Sequence, residues 1–308
     1  MDVLVVIVVN VMLPIFSLIA VGAFLHRKFA FDMKTLSKLN TYLLIPAVCF
    51  ANVYQSEMRG DTLFFILSFL VIQNICLMIV SAGMAKAAKF ESRLASTFKN
   101  SVVLSNNGNF GIPISQLVFQ HNPLGLTVQI IVMIFQNLLT FTYGLFNAVS
   151  AEKKGIHAIG LFLKNPVIYA FLLAVVLQAF AITIPSYLWT PIENIANAFL
   201  AIALITLGAQ SAFIKIYRFS KPLILSLIGR LILSPCIGII VILMLNLEGT
   251  TAQALFIASA FPTSRNSSIF ALEYGNHPEY AAQTVLVSTV FSMVTVTSVV
   301  YLAKIFFP

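Results

Sequence analysis

The chain has 308 residues, of which 59% are hydrophobic and only 9% charged, with a mean hydropathy of +0.97. A soluble domain carries about a quarter of its residues as charges, so no soluble arrangement has interior enough for this much apolar surface. The net charge of +8 would suit nucleic acid if it were gathered on one face, but it is scattered between apolar runs, which excludes that partner and leaves the lipid bilayer.

Ten apolar runs follow one another, each long enough or nearly so to cross a core of about 30 Å at about 1.5 Å per residue. The first, Val3–Leu25, has Asp2 before it and Arg27 and Lys28 after it, the reverse of a secretory leader, and reads as a span. The second, Leu36–Tyr54, holds Pro46 and Asn52, and the third, Thr62–Ala85, holds Gln73 and Asn74. The fourth is Ser101–Phe119, the fifth Thr127–Phe146, the sixth Asn165–Ile184, and the seventh Pro191–Phe213, with Gln210 near its end. The eighth, Pro222–Leu245, carries Arg230, which is close enough to the membrane surface to snorkel. The ninth is Thr251–Tyr274 and the tenth Ala281–Phe306. Asn52, Gln73, Asn74 and Gln210 are expected to hydrogen-bond between helices, with substrate contact as the lesser alternative for them and for Arg230. The expectation is an all-α membrane protein of ten transmembrane helices, residues 1–308 forming a single membrane domain.

Apart from Arg230 and Arg265, the Lys and Arg residues lie at span ends or between spans. The connections after the odd-numbered spans hold 14 of them, and the opposite side holds only Arg59 and Lys304. By the positive-inside rule the odd connections are cytoplasmic and both termini lie on the outer, periplasmic side of a cytoplasmic (inner) membrane. The regular alternation supports the count of ten. Cys49, Cys76 and Cys236 are scattered within apolar runs and form no disulfide or metal framework. His26, His121, His157 and His277 fall in connections far apart, so no metal is expected. No cofactor or enzymatic motif is present either: there is no HExxH, phosphate loop or nucleophile elbow.

Two runs are interrupted. The fourth reads Ser105-Asn106-Asn107-Gly108-Asn109-Phe110-Gly111-Ile112-Pro113 at its centre. Pro113 lacks a donor and clashes with the carbonyl of Asn109, while the glycines permit unwinding. The ninth reads Ala260-Phe261-Pro262-Thr263-Ser264-Arg265-Asn266-Ser267-Ser268. Backbone and side-chain amides freed within the membrane must be met by protein or water, so both segments should line a cavity. Dividing the spans five plus five puts the breaks at the same ordinal position, in halves that run in opposite directions. That is the inverted repeat of many secondary transporters, with discontinuous helices meeting around the substrate. Arg265 falls near mid-membrane, where a charge costs at least about 3 kcal/mol unless solvated or paired. A carboxylate ligand would satisfy it; a structural pair with Glu273 is the alternative. The candidate substrate-binding residues are Asn106, Asn107, Asn109, Arg265 and Asn266, with Gly108, Gly111, Pro113, Pro262, Thr263 and Ser264 shaping the backbone.

At these residues the chain resembles the auxin efflux carrier family, which includes plant auxin carriers and bacterial malate or malonate permeases. The resemblance runs through Leu43-Leu44-Ile45-Pro46-Ala47-Val48-Cys49-Phe50, Asn106 with Gly111-Ile112-Pro113, Lys164-Asn165-Pro166, and Phe261-Pro262 through Phe270-Ala271-Leu272-Glu273-Tyr274-Gly275 to His277-Pro278. It implies a fold shared with bile-acid sodium symporters, in which helices four and nine cross in an X at their prolines. It further implies a homodimer, a scaffold subdomain of about residues 1–54 and 165–214, and a transport subdomain of about 62–149 and 222–308 that moves elevator-like. By the same resemblance Asn106 would contact the substrate carboxylate. The connection from Asn147 to Lys164 is short, where auxin carriers have a long insertion. The acidic residue those carriers place in span three is replaced here by the Gln73/Asn74 neighbourhood, and Arg265 stands where they have an apolar residue. An added cation and a missing anion fit a smaller, more charged acid than auxin. The resulting expectation is a secondary transporter of a small carboxylate such as malate or malonate. The alternatives are a sodium-coupled symporter of bile-acid-like solutes, a channel or a receptor. The crossover offers no carboxylate before Glu273, so a coupling ion, H+ or Na+, stays open.

Overall fold

The computed structural model describes Val9 and residues 13–55, 60–150, 166–212 and 219–308. The start of the first predicted run, Arg59, Lys153, Lys154, His157, Lys164, Asn165, Lys215 and Arg218 lie outside the described residues. Among the described residues the chain is all α, without a β-strand. In order it forms α1 (Leu13–Phe29), α2 (Met33–Gln55), α3 (Gly60–Ala87), α4 (Ser92–Val103) and α5, a π turn at Asn107–Gly111 running into Ile112–Val118. Then come α6 (Pro123–Val149), α7 (Pro166–Ala179), α8 (Ser186–Ser211), α9 (Lys221–Met244), α10 (Gly249–Ser259), α11 (Arg265–Glu273) and α12 (Pro278–Phe306). Six of these, α2, α3, α6, α8, α9 and α12, are long and apolar enough to cross a membrane, and α7 is a shorter apolar helix.

Local chemistry sets the helix starts. Asp32 caps α2 by accepting from the backbone N–H groups of Lys34 and Thr35. The Thr35 hydroxyl, which also donates to Asp32, and then these backbone bonds hold its carboxyl below the usual range. Asn122 caps α6, with Pro123 next to it, where a missing N–H is no loss. Ser220 caps α9 in the same way. The outward faces stay apolar. On α3, Phe64, Leu67, Val71, Ile75 and Ile79 form an exposed stripe at helical spacing, while Ile66, Phe69 and Leu70 are buried. A continuous apolar exterior of this kind is a lipid-facing surface, and the chain is a multi-pass membrane protein.

Helices α1, α2, α7 and α8 pack on one another. A Cβ added to Gly22 of α1 would lie 2.1 Å from the carbonyl oxygen of Ile205, and one on Gly208 of α8 would lie 1.9 Å from that of Ile19. The two helices therefore meet backbone to backbone, and only glycine fits at either point. Arg27 Nε donates to the carbonyl of Ala212 at 2.9 Å and caps the end of α8.

The helix limits correct three expectations. Helix α4 begins at Ser92, nine residues before the predicted run at Ser101, because a polar face is buried in protein rather than lipid. Ser96 donates to the carbonyl of Asn147 at 2.6 Å, Thr97 to that of Asn276 at 2.5 Å and Asn100 to that of Gly144 at 2.9 Å. Helix α7 stops at Ala179, short of the predicted Ile184, and α8 starts at Ser186 with Pro191 inside it.

Candidate functional site

The breaks between α4 and α5 and between α10 and α11 touch. Ser105 and Thr263 pair as an isolated antiparallel bridge. Asn106 N–H donates to the carbonyl of Pro262 and Ser264 N–H to that of Leu104, both at 2.8 Å. Thr263 donates its hydroxyl to the carbonyl of Ser101 at 2.8 Å and its N–H to Ser288 Oγ at 3.1 Å. Each break thus completes the other's backbone hydrogen bonding, which an interrupted helix in a bilayer requires.

The interruption lies before Pro113 rather than at it. Leu104 to Asn106 leave the helix, and the chain then re-enters through a π turn in which Gly111 N–H donates to Asn106 O. Pro113 falls in the first turn of the regular segment, where its ring is tolerated. Pro262, by contrast, sits in the break itself. Gly111 is required by contact: a Cβ there would lie 2.5 Å from Gln129 Nε2 and 2.6 Å from the Phe261 ring.

The first turns of α5 and α11 line a cavity of about 190 Å³. It collects Asn106, Asn107, Gly108, Asn109, Ser264, Arg265 and Asn266 from the sequence-based candidates. Its remaining polar lining is Thr41 of α2, Ser105, and Gln136, Asn137 and Thr140 of α6, with Ile45, Met133, Phe141 and Val167 as apolar wall. Among the described residues no carboxylate lines it. Asn107 is fixed: its Nδ2 donates to Ser105 Oγ at 2.5 Å, and Gln129 Nε2 donates to both its carbonyl oxygens, at 3.0 and 3.1 Å. Asn109 Oδ1 is buried without a partner. Ser264 caps α11 by accepting from Asn266 N–H at 3.3 Å. Arg265 is half-buried and donates from one terminal nitrogen to Ser37 Oγ at 3.0 Å, while its Nε is buried without a partner. The expected alternative of a pair with Glu273 does not occur: among the described residues no carboxylate pairs with Arg265.

The lesser candidates separate. Gln73 and Asn74 are buried beside a second, much smaller space of about 10 Å³ that they share with Ser105, Asn107, Gln136 and Arg230. Gln73 donates to Ser234 O at 3.4 Å, and Asn74 accepts from Gln136 Nε2 at 3.2 Å, the interhelical role expected of them. Asn52 bonds back to Val48 O in its own helix and, like Gln210, lines neither cavity. Arg230 does not snorkel. It is 2% exposed and turned inward, because carbonyl groups at the breaks offer it more than the membrane surface does. Thr41, Gln136, Asn137 and Thr140 line the cavity without being among the sequence-based candidates. The amides of α6 within an otherwise apolar run were the available signal.

A bundle of apolar helices with a polar cavity where two interrupted helices meet belongs to the class of membrane transporters. The chain is a member of the auxin efflux carrier family: the family model described as "Membrane transport protein" matches residues 7–163 and 158–300. The chain is 23% identical over 310 residues to an Escherichia coli (strain K12) protein named "Uncharacterized transporter YfdV", covering 96% of this chain and 97% of that one. It is 24% identical over 318 residues to a Rhizobium meliloti (strain 1021) protein named "Putative malonate transporter", covering 96% of each.

Proposed function

We propose that the protein is a secondary transporter of small carboxylates, malonate and malate foremost, with the substrate held in the cavity at the crossing. The observation that carries this reading is Arg265. A guanidinium within a membrane bundle, facing a polar cavity with no carboxylate on its walls, calls for an anionic ligand. The N-terminal ends of α5 and α11 add partial positive charge at the same place. Asn106 and Asn109 supply further hydrogen-bonding groups. At about 190 Å³ the cavity is smaller than the range of about 300–1,000 Å³ for sites that bury drug-sized ligands. That size favours a short acid over a bile-acid-like solute. The name of the Rhizobium meliloti relative points the same way.

In this reading the chain forms ten spans as a 5+5 inverted repeat, with α4/α5 and α10/α11 as spans four and nine. Helices α1, α2, α7 and α8 are the scaffold and dimer contact in a homodimer, and the remaining helices carry the substrate elevator-like. The protein sits in the cytoplasmic membrane with both termini outside. Thr41, Asn137, Thr140 and Val167 then lie toward the cytoplasmic ends of their helices, so the cavity serves the inward-facing state. Uptake of labelled malonate and malate into proteoliposomes tests the proposal. The purified protein is expected to move at least one of them, and Arg265→Ala and Asn106→Ala to abolish most of that flux. If no acid in a carboxylate panel moves, or both substitutions leave flux unchanged, the reading is wrong.

A further inference from the structure

Helices α4 and α10 end at the crossing with carbonyl groups that have no helical partner, and one side chain gathers them. Arg230 NH1 donates to Val102 O at 3.0 Å and Val103 O at 3.4 Å, in the last turn of α4. Its NH2 donates to Ser259 O, the last residue of α10, and to Ser234 Oγ, both at 2.7 Å. Ser234 in turn donates its hydroxyl to the same Ser259 carbonyl at 2.7 Å. The π turn Gly229–Leu233 of α9 delivers the arginine, and Gly229 lets that turn approach α4: a Cβ there would lie 2.9 Å from Val102 Cγ2. Among the described residues no carboxylate pairs with Arg230.

A buried guanidinium needs compensation of about one negative charge. Two helix C-termini, at about −0.5 each, supply it. The pairing is therefore balanced between one cation and two half-helix ends. In transporters built on discontinuous helices, such carbonyl ends are where the coupling cation is held. We propose that Arg230 is a resident cation in that position: the protein supplies from α9 the positive charge that a coupled carrier takes from solution, and transport does not draw on a sodium ion there. Arg230 is a positioning residue in this scheme. It touches no part of the main cavity, yet it holds the carbonyl ends whose continuation, Ser105 to Asn107, forms the cavity wall.

The charge-balancing role rests on the geometry alone, whereas the consequence for flux rests on the carrier reading, so stability and flux are measured separately. Thermal unfolding of the purified protein is followed in sodium, potassium and choline chloride at equal ionic strength, for the parent, Arg230→Ala and Arg230→Lys. The parent is expected to unfold at one temperature in all three salts and to carry carboxylate equally well in sodium and choline. Arg230→Ala should unfold at least about 5 °C lower in choline, since it strips buried carbonyls of their donors. Millimolar guanidinium should recover part of that loss, where urea does not. Arg230→Lys should lie between parent and Ala and gain nothing from guanidinium. A parent stabilised by sodium over choline, or an alanine variant indifferent to guanidinium, overturns the proposal. If the alanine variant does not fold, the parent's salt series and the lysine variant decide it. Sodium-independent unfolding with no carboxylate flux in the parent would leave the resident cation standing and sink the carrier reading instead.

Discussion

Arg265 and Arg230 are both cations within the bundle, and their surroundings assign them opposite tasks. Arg230 has four acceptors within hydrogen-bond reach and faces the carbonyl ends of two helices. Arg265 has one acceptor, the hydroxyl of Ser37, and each arginine leaves its Nε without a partner. Its planar fork suits two-point recognition of a carboxylate, which an ammonium cannot reproduce. Arg265→Lys is therefore expected to keep charge attraction but lose the bidentate bond, raising the half-saturating malonate concentration about tenfold or more, on the order of 1.5 kcal/mol. Transport titrations of parent and variant check it, and an unchanged value would remove Arg265 from direct contact with the acid. Arg265 and the asparagines were legible in the sequence because charge and amides stand out in apolar runs. Ser37 was not, since a serine near a span end carries no signal until folding brings α2 beside α11. The orientation of Arg230 was misread for a related reason: its acceptors are backbone carbonyls, which every residue has and no sequence displays.

At the level of elements, hydropathy located the helices where lipid does the burying and failed where protein does. Helix α4 shows the failure. Ser96, Thr97 and Asn100 are as buried as any core residue, but their partners are Asn147, Asn276 and Gly144, so the segment reads as a polar connection. The breaks in runs four and nine were legible from Asn, Gly and Pro, although the π turn before Pro113 moved the first of them upstream. Contact between α1 and α8 depends on Gly22 and Gly208, whose spacing is unremarkable in sequence. A methyl group at either position would strike backbone, which no rotamer change relieves. Gly22→Ala and Gly208→Ala are each expected to destabilise the protein by about 1–3 kcal/mol, the usual effect of forcing extra volume into a packed contact. Lowered unfolding temperatures in detergent would register it, and parent-like values for both would mean the helices can part without loss.

For the whole molecule, the crossing sorts charge. The carbonyl ends of α4 and α10 collect around Arg230, and the N-terminal ends of α5 and α11 open onto the cavity beside Arg265. One side is neutral by itself. The other carries surplus positive charge that the proposed acid would neutralise. This asymmetry joins the two arginines to one architecture, and it arises because the two breaks meet.

The hydrogen bond from Arg265 to Ser37 has a kinetic consequence. It ties α11, on the moving side of the proposed carrier, to α2, on the static side, and the proposed carboxylate would compete for the same guanidinium. Without cargo, the crossing would have to swing an uncompensated charge through the bilayer and break that tie with nothing to replace it. The return stroke of the empty carrier should therefore be its slowest step, and exchange should outrun net movement. Vesicles preloaded with unlabelled malonate are expected to take up labelled malonate several times faster than empty ones. Ser37→Ala should narrow the difference by freeing the unloaded stroke; equal rates in loaded and empty vesicles would show that the unfilled carrier turns around without hindrance.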